Sequence, residues 1–248
     1  MIKLEKHEVI GWEHAIRGMR NPMNSWDKSD SLIVVDKSSM DPESWRYESV
    51  SLGENDYKLM MNLRNAGTDH RKYLRMITVY VDVTAPLYWW KEFDTYKVGT
   101  VANSCSTMHK IHAKEFTLED FSCEHLGDGF MPVLKATIHA LNSARYMYLE
   151  YDETIKKGIP CLKGTMPCTK KDVWNQMIQL LPSSYNQKRT VMLNYEVLAN
   201  MYKSRKNHKL DEWHKFCDWI ESLPYSELIT GKAENGATSD CAGEKKDG

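Results

Sequence analysis

The chain has 248 residues, of which 42% are hydrophobic, and a formal net charge of -1 from 33 basic and 34 acidic side chains. This length suits one domain with a substantial core, which we place at residues 1–231. The balanced charge argues against general binding to nucleic acid or to a membrane, so any anion site must be local. Residues 232–248 are rich in Gly, Ala and charge, and we predict a disordered tail there.

The distribution of cysteines and apolar residues predicts a reduced, cytoplasmic protein. The six cysteines are scattered along a Met- and Trp-rich chain, which does not resemble a disulfide framework. The longest apolar runs fall far short of the roughly 20 residues that cross a bilayer. Lys3, Glu5 and Lys6 are incompatible with a signal-peptide core.

The first 70 residues predict two strands and two helices. Residues 2–10 form the first strand, and an apolar stripe over residues 12–19 predicts a helix that ends near Asn21-Pro22. Residues 24–31 are predicted to be an exposed loop and residues 32–35 a second strand. Leu59, Met60 and Leu63 have helical spacing, and Gly67 supplies a left-handed stop.

The most informative stretch is residues 75–109. Apolar and polar residues alternate over residues 77–84, which predicts a strand with two unlike faces. Pro86 suits the first turn of a following helix. Residues 100–107 are small and rich in hydroxyl groups, with Lys97 before them and His109 and Lys110 after. This segment is either a solvated loop or a grip for an anionic, hydrogen-bonding ligand such as a nucleotide.

Residues 117–222 are predicted to be mainly helical. Thr117 with Asp120 forms a variant capping box for a short helix. A long helix spans residues 131–151 and is broken by Gly158-Ile159-Pro160. Thr169 caps the next helix, which stops before Pro182. Two more helices follow near residues 194–204 and 209–222.

The order of these motifs resembles the flavin-dependent thymidylate synthases over roughly residues 50–225. In that family a strand ends in Ala-Pro, a helix carries Gln, and the signature Arg-His-Arg-x-x-Ser-x-Asn-Glu-x-Ser-x-Arg-Tyr follows. Ala85-Pro86 aligns with the Ala-Pro without gaps. At the aligned positions this chain carries other side chains than the family. Glu92 replaces the Gln, Thr95-Tyr96-Lys97 replaces Arg-His-Arg, and Thr100 replaces the first Ser. Ala102-Asn103 replaces Asn-Glu, Cys105 replaces the second Ser, and Thr107-Met108 replaces Arg-Tyr.

Flanking segments extend the resemblance. The helix before residue 67 and the segment Gly67 to His70 are similar to the family's helix and Gly-His element. Five downstream residues match the family: Leu181, Pro182, Asn194, Leu198 and Arg205. Glu196 replaces an Arg, and residues 175–178 lack the family's substrate-binding Arg. His208 begins a segment similar to the family's His-x-x-x-x-Glu ending.

The resemblance implies an α/β (α+β) fold in which an antiparallel-dominated sheet packs against long helices. It also implies a homotetramer with active sites built from several subunits, a pyrimidine deoxynucleotide substrate, FAD, and reduced folate as the one-carbon donor. Hydride from reduced FAD would complete the transfer to C5 of dUMP. The predicted nucleotide contacts are Lys97, Thr100, Asn103, Ser104, Cys105, Ser106 and Arg205. The predicted cofactor contacts are His70, Glu92, Thr95, Tyr96, Asn194 and His208.

Several alternatives stay open at this point. The chain is an active flavoenzyme, or it is a diverged relative that binds a nucleotide or a protein without the standard reaction. Each lost arginine removes a charge-assisted hydrogen bond of about 1.5–3 kcal/mol. Cys105 is a nucleophile or part of a pocket wall, and Arg205 is a ligand contact or a helix-ending cation.

Local geometry gives three further expectations. His109 and His112 have the spacing of some metal ligands, but no third ligand is fixed by sequence, and we predict no metal site. Trp89 and Trp90 point about 100° apart on a helix, so we expect one in the core or at an oligomer interface and one near the pocket. The N–H groups of residues 100–106 are expected to form an anion nest.

Overall fold

A computed structural model describes residues 1–35, 48–151 and 169–231. The strands are β1 (Lys3–Ile10), β2 (Leu32–Val35), β3 (Glu48–Ser51), β4 (Thr78–Pro86), β5 (Val101–Ser104) and β6 (Asn186–Asn194). The helices are α1 (Trp12–Arg20), α2 (Glu54–Asn65), α3 (Leu87–Phe93), α4 (Met131–Leu149), α5 (Lys170–Leu180), α6 (Tyr195–Arg205), α7 (Asp211–Glu221) and α8 (Glu227–Thr230). The predicted break at Gly158-Ile159-Pro160 and the predicted tail lie outside the described residues.

The central sheet has four strands in the order β1-β4-β6-β5, and every neighbouring pair is antiparallel. The predicted antiparallel sheet is therefore confirmed. The strands β2 and β3 form a separate antiparallel pair. Because β5 pairs with β6 alone, it forms one edge of the sheet, and the chain that leaves this edge carries the candidate site.

The two faces of the sheet differ, as the alternation over residues 77–84 predicts. Val79, Val81 and Val83 of β4 are buried, as are Val191 and Leu193 of β6. These residues share one face because side chains alternate along a strand. The intervening residues form a second, more polar and more exposed face.

An aromatic core packs against the buried face and fixes α3 against α7. Trp89 lies 4.7 Å from Trp213 and 5.6 Å from Phe216, measured between ring centroids. Trp90 is also buried, and its Nε1 donates to the carbonyl oxygen of Gln187 at 3.0 Å. Both tryptophans therefore lie in the core, and Trp90 contacts Gln187 from within it. The helix α3 is covered by α7 on one side and by β6 on another, so both rings are enclosed.

A second, smaller hydrophobic cluster lies beneath residues 105–121. It joins the buried faces of α4 and α5 to apolar residues of that segment: Ile111, Phe116, Phe121, Leu134, Leu141, Ala144 and Met177. Its α4 members match the predicted helical stripe. Residues 105–116 have little regular structure of their own. The packing of Ile111 and Phe116 in this cluster therefore holds the segment against the sheet edge.

The predicted caps are confirmed at atomic detail. Thr117 and Asp120 form reciprocal capping contacts on a 3-10 turn at Leu118–Asp120. The Thr169 side chain accepts a hydrogen bond from the Asp172 N–H at 3.2 Å. No described helix has the length and apolar character that a transmembrane span requires.

Candidate functional site

A cavity of about 260 Å³ lies where the chain leaves β5. Residues from segment 105–116, from the start of β6 and from the turn before it form its wall: Cys105, Ser106, Thr107, Lys110, Ile111, Lys114, Phe116, Tyr185, Gln187 and Lys188. Three of these are lysines and two carry aromatic rings. This combination suits an anionic ligand with a flat ring, because ammonium groups attract the anion and the rings offer apolar stacking surface. We call this cavity the lysine pocket.

The three lysines of this pocket differ in their partners. Lys188 Nζ lies 3.0 Å from a carboxylate oxygen of Asp82, and Lys114 donates to Asp120. The hydrogen bond to Asp82 is the main cause that raises the pKa of the Lys188 ammonium. For Lys110, the described part of the chain contains no hydrogen bond or ion pair of the ammonium group. Lys110 is therefore the lysine best placed to take a new anionic partner.

The strand β6 places Lys188 by its register. Thr84 pairs with Lys188 on one side of β6, and on the other side the Cys105 N–H donates to the Lys188 carbonyl at 2.9 Å. Gln187 is buried and points the opposite way, where its Nε2 donates to the Cys105 carbonyl at 2.8 Å. These two backbone-directed bonds fix residue 105 at the rim of the pocket.

The expected anion nest over residues 100–106 does not form. Val101–Ser104 is a strand paired with β6, so its N–H groups alternate in direction instead of converging. The N–H groups of Met108 and His109 converge instead, and both donate to Ser106 Oγ at 3.1 and 3.0 Å. The Ser106 hydroxyl therefore orders the turn that leads to Lys110.

A second polar cluster gathers four of the predicted ligand residues around one carboxylate. Glu92 Oε2 accepts from Arg205 Nη1 at 2.8 Å and from Trp213 Nε1 at 2.8 Å. His208 Nε2 lies 3.3 Å from the same oxygen. Arg205 Nε donates to the Tyr96 hydroxyl at 3.0 Å. We call these five residues the Glu92 cluster.

Stacking completes the enclosure of the Arg205 guanidinium. Its central carbon lies 4.8 Å from the centroid of the Trp213 ring and 5.5 Å from that of Tyr96. Guanidinium groups stack favourably on aromatic faces. The Arg205 side chain is 18% exposed and the Glu92 side chain 33%. The cluster is thus a largely satisfied ion pair between α3, α6 and the start of α7.

The other predicted contacts are dispersed. Thr95 Oγ1 donates to the Glu92 carbonyl at 2.7 Å, and the Thr100 hydroxyl donates to the Tyr96 carbonyl. Asn194 accepts from the Val197 N–H at 2.9 Å and caps α6. Asn103 and Ser104 are exposed on β5, while Lys97 and His70 are exposed in loops. Of the predicted nucleotide contacts, Cys105 and Ser106 line the lysine pocket.

The sequence reasoning missed Lys114, Tyr185, Gln187 and Lys188 as pocket residues. Lys188 lies more than 80 positions after Cys105, and the register of β6 brings the two together. The alternation of Gln187, Val191 and Leu193 with polar residues was the available signal for this strand. Lys188 and Arg189 inside that pattern obscured it.

The described residues thus form an α+β chain with a basic, ring-lined pocket at the edge of an antiparallel sheet. No family model matches the sequence, and no curated protein is similar to it. Two solved structures match 93% of this chain and 98% of their own chains.

Both matching structures are of flavin-dependent thymidylate synthase X from Helicobacter pylori, each with FAD and dUMP. Their TM-scores are 0.61 and 0.59, at 13% and 14% sequence identity. The chain therefore has the fold of the flavin-dependent thymidylate synthases, and the fold predicted from the order of sequence motifs is confirmed.

Proposed function

We propose that this protein binds a pyrimidine deoxynucleotide, with the phosphate of the nucleotide in the lysine pocket. The observation that carries the proposal is the position of this pocket. It lies at Cys105 and Ser106, which align with the signature segment of a fold whose Helicobacter pylori representative was solved with dUMP. Lys110 supplies an available charge, and Lys188 and Lys114 add positive potential. Phe116 and Tyr185 provide ring surface for the base.

The proposed cofactor is FAD, which the matching structures contain. The fit of this chain's own residues to FAD is incomplete. Glu92, Tyr96 and His208 direct their polar groups to one another or to Arg205, and the side-chain Oδ1 of Asn194 caps α6. His70 and Thr95 are exposed to solvent. We therefore propose that further flavin contacts come from neighbouring subunits of a homotetramer.

The proposed reaction class is one-carbon transfer to C5 of dUMP or a related nucleotide. Reduced FAD would supply the hydride and reduced folate the carbon unit. The second candidate is a diverged relative that binds the nucleotide, or a protein partner, without this reaction. The Glu92 cluster supports the second candidate. Arg205 donates hydrogen bonds to Glu92 and Tyr96, so these donor groups do not point to a substrate.

The proposed assembly is a cytoplasmic homotetramer in which residues 1–231 form one folding unit. Since Trp89 and Trp90 are enclosed within the chain, they give no support to an aromatic subunit interface. Light scattering at micromolar concentration tests the assembly, and a monomer would remove both the tetramer and the shared flavin site.

Two binding measurements test the proposed function. The purified protein is titrated with dUMP by calorimetry, and its visible absorbance is recorded before and after addition of FAD. We expect dUMP binding and a flavin spectrum that stays with the protein through gel filtration. The proposal would be overturned if the purified protein is colourless, does not bind added FAD and gives no heat of binding with dUMP.

A further inference from the structure

Tyr185 is held firmly in the wall of the lysine pocket. Its N–H donates to the Pro182 carbonyl at 3.0 Å, and its own carbonyl accepts from the Leu87 N–H at 3.0 Å. The Tyr185 ring packs edge-on against Phe121, with 5.7 Å between the ring centroids, and against Phe116 at 6.2 Å. Backbone and ring contacts together therefore fix the position of this side chain.

The Tyr185 hydroxyl has no hydrogen-bond partner in the part of the chain that the structure describes, although the side chain is half-buried. Other enclosed tyrosines are paired. Tyr73 donates to the Met60 carbonyl at 2.8 Å, and Tyr195 donates to the Pro224 carbonyl at 2.6 Å. Because protected polar groups are normally hydrogen-bonded, a positioned hydroxyl in a pocket wall without a protein partner is suited to a ligand.

The other unused polar groups of the pocket are also donors. Lys110 carries an ammonium group with no partner among the described residues. Ser106 Oγ accepts from the N–H groups of Met108 and His109, so its lone pairs are occupied and its single hydrogen is left to donate. A pocket whose unused groups are an ammonium and hydroxyl hydrogens suits a charged group made only of acceptors. The oxygens of a phosphate are such a group.

The protonation state of Tyr185 agrees with a donor role. Burial is the main cause that raises the pKa of its hydroxyl, and the charges of Asp120 and Cys105 add to the effect. The ordinary pKa of tyrosine is already about 10, so a raised value keeps the proton on the oxygen at neutral pH. The hydroxyl is therefore available as a hydrogen-bond donor.

We propose that Tyr185 is a specificity-determining residue whose hydroxyl donates a hydrogen bond to the phosphate of the nucleotide in the lysine pocket. This inference rests on the proposed function, since it requires a nucleotide at that site. Lys110 supplies charge there, and Tyr185 adds a directed bond from a fixed position. A nucleoside lacks the acceptor, so this contact favours the nucleotide over the nucleoside.

The test compares the wild type with Tyr185→Phe, which removes the hydroxyl and keeps the ring. Ligand-observed NMR titrations measure the affinity of each protein for dUMP and for deoxyuridine. We expect Tyr185→Phe to bind dUMP about tenfold more weakly, since a hydrogen bond to a charged group is lost, and to bind deoxyuridine as the wild type does. The urea midpoint of unfolding should stay unchanged, because the hydroxyl has no described protein partner to lose.

The matched control is Tyr73→Phe, because Tyr73 lies outside the pocket wall and its hydroxyl has a protein acceptor. This variant should unfold at a lower urea concentration and bind dUMP like the wild type. A midpoint that falls as far in Tyr185→Phe as in Tyr73→Phe would indicate a structural role for the Tyr185 hydroxyl and contradict the inference.

The titrations also separate the two proposals. If the wild type binds dUMP and Tyr185→Phe binds it equally well, the role of Tyr185 alone is overturned. Equal weakening for dUMP and deoxyuridine would also overturn it, because the hydroxyl would then contact the nucleoside part. Absence of dUMP binding by the wild type would overturn the proposed function and this inference with it.

Discussion

The Glu92 cluster and the lysine pocket each include positions that the sequence resemblance aligns with ligand-binding residues, yet the two sites use their charges in opposite ways. In the Glu92 cluster, Arg205 and Glu92 satisfy each other and are covered by Trp213. In the lysine pocket, Lys110 has no side-chain partner among the described residues, whereas Lys114 pairs with Asp120 and Lys188 with Asp82 and Glu5. Arg205 keeps the identity of an aligned family residue, yet its guanidinium group is already engaged by Glu92 and Tyr96.

The largest expected effect is on catalysis. If the Glu92 cluster still served the standard reaction, the contrast between this cluster and the lysine pocket would not hold. We expect conversion of dUMP to thymidylate at least on the order of a hundredfold below that of a normal synthase, because misplacement by about 1 Å already costs that much. Growth of a thymidine-requiring bacterium that expresses this chain measures the effect in cells. Tritium release from C5-labelled dUMP, with FAD and reduced folate, measures it in solution.

An active flavin-dependent synthase in the same vector is the control for both assays. Full rescue of growth together with normal turnover would show that the reaction does not need the missing arginines, and the standard synthase reaction would then stand.

The next largest effect is on stability, and it tests whether the Glu92 cluster stabilises the fold. Glu92→Ala leaves Arg205 Nη1 and Trp213 Nε1 without their acceptor. We expect a loss of about 1.5–3 kcal/mol in the free energy of unfolding, the range for hydrogen bonds to charged groups. Urea denaturation measures it. The control Glu150→Ala removes an exposed glutamate and should change stability by less than about 0.5 kcal/mol.

The smallest expected effect is the pH dependence of the Asp82 carboxylate, which anchors Lys188. Hydrogen bonds from Thr190 and Lys188 hold the pKa of Asp82 below its usual value, despite the opposing effect of burial. Because the folded state lowers this pKa, the stabilisation is complete above the unfolded value of about 3.9 and is lost as the pH falls through the folded value.

Asp82→Asn should therefore remove part of the acid sensitivity of the protein. We expect a difference from wild type of up to about 1 kcal/mol at pH 6 that is smaller at pH 3, since the pair is close to solvent. Denaturant titrations at the two pH values measure it, with Asp128→Asn as an exposed control. A constant difference across this range would contradict the role of Asp82 as a charged anchor.

The sequence predicted the helical part of the fold well. The stripe over Leu134, Leu141 and Ala144 is the buried face of α4, and the capping residues Thr117 and Thr169 lie where their side chains predict. These signals are local, because a helix contacts itself within four residues. Motif order around Ala85-Pro86 also predicted the fold correctly.

The sheet edge and the pocket were harder to predict. All four residues of β5 are exposed, so no apolar alternation marks this strand. Lys188 and Arg189 interrupt the pattern of β6. Each fits its own surroundings, since Lys188 meets Asp82 and Arg189 lies 4.1 Å over the Trp90 ring. Such long-range pairings are set by tertiary packing and cannot be derived from local spacing.

The most direct test of the account is a dUMP titration of four proteins by calorimetry: the wild type, Lys110→Ala/Lys188→Ala, Arg205→Ala, and Lys203→Ala as a control for an exposed lysine on α6. The account predicts that the double lysine variant loses at least about tenfold in affinity, more than Arg205→Ala loses, since each lost charge-assisted contact costs about 1.5–3 kcal/mol. Lys203→Ala should bind like the wild type. Unchanged affinity in the double lysine variant, with Arg205→Ala strongly weakened, would contradict the account.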